Sequence, residues 1–121
     1  MHTTSCVVTF FTTSDEVFRC NANSITLTTK KCVLGFDSRN SQQDVFYSNS
    51  NDGYAVDFEN CAFINVYRSV VDDFRSDGTC TIKFNSCSGY DVGFSATPVD
   101  RSGYFGCDPL GTSTHNVYMF N

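Results

Sequence analysis

The sequence predicts an all-β protein, and three observations lead there. Helix formers are scarce: leucine occurs only at Leu27, Leu34 and Leu110, and glutamate only at Glu16 and Glu59. Strand formers are plentiful, with 12 phenylalanines and 6 tyrosines among many threonines and valines, residues that suit a pleated, half-buried surface. Third, Val56-Asp57-Phe58-Glu59-Asn60-Cys61 and Ile82-Lys83-Phe84-Asn85-Ser86-Cys87 share one phrase, 26 residues apart counted from Val56 to Ile82. Each alternates at period two and places Val56/Phe58 or Ile82/Phe84 on one face.

The elements follow in order. Cys6 to Phe11 is an apolar strand, and Glu16 to Cys20 a second after the polar run Thr12-Thr13-Ser14-Asp15. Ser24 to Thr29 alternates, with Ile25 and Leu27 together, and Cys32 to Phe36 follows the Lys30-Lys31 step. Asp44 to Tyr47 is next, ended by the loop Ser48-Asn49-Ser50-Asn51-Asp52-Gly53. Between the two matched strands lies Ala62 to Phe74, with Phe63, Val66, Val70 and Val71 apolar, closed by the turn signal Asp77-Gly78. Tyr90 to Phe94, Gly103 to Cys107 and Asn116 to Phe120 complete the set, separated by Pro98 and the turn Pro109-Leu110-Gly111.

Two architectures accommodate these strands. One is a single-domain antiparallel sandwich or jelly roll of about 8–10 short strands over residues 1–121, which frequency among chains of this length favours. The alternative is a short right-handed parallel β-helix, in which equivalent residues stack in ladders. The apolar anchors Val8, Ile25, Val56 and Ile82 are separated by the uneven steps 17, 31 and 26, which weakens the repeat and leaves the sandwich ahead. A second echo, Cys-apolar-apolar-x-Phe at Cys6, Cys32 and Cys80, is followed by Val17-Phe18, Val45-Phe46 and Val92-Gly93-Phe94, as hairpins would be. The phrase Val-Asp-Phe-Glu-Asn-Cys-Ala-Phe resembles coils of the pectate-lyase-like group of right-handed β-helix proteins, over positions 54–95. That resemblance implies Phe58 stacked on Phe84 and Cys61 on Cys87. Under either architecture Phe58, Cys61, Phe84 and Cys87 are expected in the core.

Composition narrows function. The chain has 121 residues, 40% apolar and 17% charged, enough for one packed core. Its net charge is −5 and its eight basic residues are scattered, which argues against nucleic acid and against an anionic membrane surface. No apolar run approaches the roughly 20 residues of a spanning helix, and Met1-His2-Thr3-Thr4-Ser5 lacks the pattern of a signal peptide.

Seven cysteines, Cys6, Cys20, Cys32, Cys61, Cys80, Cys87 and Cys107, read either as three disulfides plus one thiol or as small buried hydrophobes, the second slightly ahead. No metal site or other cofactor is expected: there is no C-x-x-C or H-x-x-x-H, and the spacings of Cys80 with Cys87 and of Cys107 with His115 match no zinc module. No catalytic residues are expected either, since a nucleophilic cysteine with His2 or His115 carries no local signature.

Candidate ligand-binding residues are Tyr54 and Tyr90, which neighbour glycines in loops, and Asp72 and Asp73, the densest acidic cluster. An Asp pair is what glycoside hydrolysis needs. The motifs that accompany it in polygalacturonase-type enzymes are missing, and a solvated turn is the plainer reading of Asp72-Asp73. The expected function is a non-enzymatic structural or attachment module of a virion or extracellular surface. Its partner would be a glycan or a protein, with self-association into a homo-oligomer. The alternatives are a small secreted, disulfide-held toxin, inhibitor or effector, and a glycan-active enzyme using Asp72 or Asp73.

Overall fold

The computed structural model describes residues 2–4, 7–10, 16–21, 25–37, 44–49, 52–73, 77–93, 103–107 and 113–121, and for 2–4, 7–10, 103–107 and 113 it describes the backbone. The described residues form thirteen strands: β1 (His2–Thr4), β2 (Val7–Phe10), β3 (Glu16–Cys20), β4 (Ile25–Lys30), β5 (Val33–Phe36), β6 (Asp44–Ser48), β7 (Tyr54–Glu59), β8 (Ala62–Val66), β9 (Ser69–Asp73), β10 (Gly78–Asn85), β11 (Ser88–Val92), β12 (Gly103–Cys107) and β13 (Ser113–Phe120).

Every third strand stacks on the last. Sheet A runs β1-β4-β7-β10-β13, sheet B β2-β5-β8-β11, and sheet C β3-β6-β9-β12. All ten pairings are parallel. The protein is therefore a three-faced parallel β-solenoid, and the antiparallel sandwich or jelly roll is overturned. Period-two alternation identifies a strand without giving its direction, so the pattern of apolar residues was silent on this choice. The repeat was blurred because coil length varies. From Thr28 to its partner Asp57 is 29 residues, from Asp57 to Lys83 is 26, and from Lys83 to Tyr118 is 35. The step of 17 from Val8 to Ile25 compares strands of different sheets, since Val8 pairs with Leu34 and the sheet A partner of Thr28 is His2.

The core is built of ladders. Leu27, Val56 and Ile82 stack in register and are all buried. Phe58 lies on Phe84 with ring centroids 5.6 Å apart and planes 14° from parallel. Phe63, from sheet B, meets both rings edge-on, at 5.1 and 6.1 Å. Such aromatic pairs contribute about 0.5–1.5 kcal/mol each beyond the area they bury. Sheet C closes the third side with Phe46 paired to Val71.

The corner leaving sheet A explains the recurrent phrase. Lys31, Asn60 and Ser86 follow β4, β7 and β10 and share a left-handed backbone, with φ of 53°, 52° and 52°. Their N–H groups continue the ladder by donating to the carbonyls of Glu59, Asn85 and Phe120. A cysteine comes next each time, and its thiol donates to the carbonyl two residues back: Cys32 to Lys30, Cys61 to Glu59, Cys87 to Asn85. A small apolar side chain with one weak donor fits this bend. Cys32 and Cys61 are buried and Cys87 half-buried.

Among the described residues, Cys20, Cys32, Cys61, Cys80 and Cys87 carry thiols, with no disulfide between any two of them.

Candidate functional site

Two groupings of polar side chains stand out, one inside the solenoid and one on its surface. The inner one starts from β9, where all five residues are buried. Asp72 and Asp73 are therefore structural neighbours in a covered strand and not a solvated turn. Successive strand residues point to opposite sides, and the two carboxylates accordingly have different company. Asp72 lies 3.4 Å from the Arg68 guanidinium, which also pairs with Asp44. The Ser69 N–H donates to Asp44 Oδ1 at 3.1 Å. Burial, reinforced by the nearby Asp72 charge and opposed by Arg68, pushes the Asp44 carboxyl up to about 6.

Asp73 faces strands of sheet A. The Tyr54 hydroxyl donates to its Oδ2 at 3.4 Å, the Cys80 thiol approaches the same oxygen at 3.8 Å, and His115 Nε2 lies 2.5 Å from it. Cys80 and His115 are register partners on β10 and β13, so stacking places imidazole beside thiol. Cys80, Asp73 and Tyr54 are 0%, 1% and 3% exposed, and the His115 side chain 14%. Tyr54, expected in a loop, is the first residue of β7 and turns inward, with its ring 5.2 Å from that of Phe46.

The outer grouping lies on the solvent side of sheet A. A shallow trough of about 560 Å³ is lined by Asp57 and Glu59 of β7, Thr81, Lys83 and Asn85 of β10, and Tyr118 and Phe120 of β13. These are alternate positions of three stacked strands, which is why one face collects them. Lys30 Nζ reaches Glu59 at 2.6 Å, and Glu59 raises the lysine's proton affinity. The Tyr118 and Phe120 rings lie 6.3 Å apart and within 3° of parallel, each about half exposed. Two smaller hollows extend the same face toward Thr26, Thr28 and Ala55.

Tyr90, the other tyrosine singled out from sequence, stands 72% exposed on β11 of sheet B, apart from the trough. Tyr118 and Phe120 were placed in the final strand but not recognised as a pair. Their i, i+2 spacing was the available signal. The meeting of Asp73, Cys80 and His115 had no local signal, because it depends on a register across coils of unequal length.

No family model matches the chain, and no curated protein or solved structure matches it significantly.

Proposed function

We propose that this protein is a non-enzymatic attachment module that binds a glycan along the outer face of sheet A. The observation that carries the reading is the pair of near-parallel, half-exposed rings of Tyr118 and Phe120 at the rim of a trough of carboxylates, amide, hydroxyl and ammonium. A sugar ring presents C–H groups on its faces and hydroxyls at its edges. Flat aromatic faces take the first, while Asp57, Glu59, Lys83 and Asn85 supply acceptors and donors for the second. The volume falls within the range of small-ligand sites, about 300–1,000 Å³. The burial of Asp72 and Asp73 favours binding over sugar cleavage, since both carboxylates are covered by protein. A low-charge surface rich in Ser, Thr and Asn suits a virion or extracellular surface. Self-association would multiply individually weak sites.

The test is a glycan array followed by calorimetry on the full chain. Tyr118→Ala and Phe120→Ala each lower affinity about tenfold or more for the best ligand, at unchanged circular dichroism. Tyr90→Ala leaves it unchanged. Absence of glycan binding, or binding insensitive to both ring deletions, overturns the proposal. Binding lost only with Tyr90→Ala moves the site to sheet B.

A further inference from the structure

We infer that Asp73, Cys80 and His115 form a zinc site that fastens the last strand to the body of the solenoid. One ligand atom from each lies within 4.8 Å of the other two. Thiolate, imidazole and carboxylate together are a zinc donor set, with the fourth tetrahedral position taken by a water. A tetrahedral zinc with ordinary bond lengths spaces such atoms about 3.3–3.7 Å apart, and the observed separations of 2.5 Å for oxygen to nitrogen and 3.8 Å for oxygen to sulfur bracket that range. Opening the Asp73–His115 contact by less than about 1 Å brings that pair to the zinc spacing, and Cys80 and His115 lie within 4.8 Å of each other.

Charge supports the same assignment. A divalent cation with one thiolate and one carboxylate sums to zero, so the unit is neutral in the position where an isolated buried charge is costly. Formation of the metal–sulfur bond releases the Cys80 proton to solvent, and the imidazole binds through its lone pair. Tyr54 completes the arrangement from outside the ligand set: its hydroxyl donates to Asp73 Oδ2 and holds the carboxylate in place. Burial separates this site from a catalytic cysteine–histidine pair. The Cys80 side chain is wholly covered, so its sulfur cannot reach a macromolecular substrate. The ligands come from β9, β10 and β13, so a bound ion ties sheet C to sheet A and secures the terminal strand that also carries Tyr118 and Phe120. The inference is independent of the glycan reading.

The test is titration of the chelator-treated full chain with cobalt(II) and then zinc. Wild type takes up one equivalent with a thiolate-to-cobalt charge-transfer band, which zinc abolishes by displacement. Cys80→Ser removes the band. His115→Asn weakens zinc binding about a hundredfold or more, and Tyr54→Phe about tenfold with the band retained. Cys61→Ser, at the corner column, keeps both band and affinity. No stoichiometric uptake, a band that survives Cys80→Ser, or one that disappears in Cys61→Ser overturns the assignment. Because Cys80 is a core residue, His115→Asn decides if Cys80→Ser fails to fold: wild-type zinc affinity in that variant overturns the site.

Discussion

Asp44 is the residue where the solenoid carries an electrostatic cost. It is wholly buried, shares Arg68 with Asp72, and holds its proton up to about pH 6. An unfolded aspartate releases its proton near pH 3.9. The native state therefore binds this proton more tightly than the unfolded chain. The stability it contributes is fully present below about pH 4 and is lost as pH rises through about 6. The loss is on the order of 3 kcal/mol, taking 1.36 kcal/mol per unit. Asp44→Asn keeps the shape without the ionisation. The stability difference between wild type and this variant shifts toward the variant by about that amount between pH 4 and 7.5, as read from urea midpoints. A pH-independent difference would show that the Asp44 carboxyl titrates alike in the native and unfolded chains.

At the scale of elements, close stacking sets the constraint. In β5, a Cβ on Gly35 would lie 2.0 Å from the Ile64 carbonyl oxygen of β8. No rotamer relieves a clash with backbone. Gly35→Ala is expected to cost about 3 kcal/mol, as measured by chemical denaturation. One residue further along β8, Asn65 adopts φ 51° and its amide donates to the Phe36 carbonyl at 2.9 Å, so the same pair of coils is also held by a side chain.

The strands themselves were legible: Glu16 to Cys20 coincides with β3, and the matched phrases fall on β7 and β10. The echo of Cys6 in Cys32 was also real, because Val7 pairs with Val33 and Phe10 with Phe36. Its continuation, Val17-Phe18 against Val45-Phe46, falls on the next face of the same two coils, where Phe18 pairs with Phe46. The apparent hairpin was one turn of solenoid. Cys80 broke the echo because it belongs to β10 of sheet A. The short β1 went unseen, since three residues, His2–Thr4, carry too little alternation to register. The trough and the Asp73 cluster were harder still. Each gathers side chains from three or more coils, and a linear pattern says nothing about which residues of successive coils coincide.

At the scale of the molecule, each described strand pairs only with the described strand three places before or after it, so each coil is supported by its immediate neighbours. Stability in such an array is close to a sum of coil and interface contributions. The two ladders of sheet A end on β13, where Val117 continues Ile82 and Met119 continues Phe84. There both side chains are partly exposed, 39% and 61%. Hydrogen exchange should accordingly be slowest at β7 and β10, which are paired on both edges, and fastest at β13. Uniform protection would show one cooperative unit.

The same neighbour-only pairing bears on how the chain is made. From β4 onward, a strand emerging from the ribosome finds one partner already synthesised about one coil earlier. Growth can therefore proceed by accretion on a finished surface, and the exposed template edge is covered at each step by the next length of the same polypeptide.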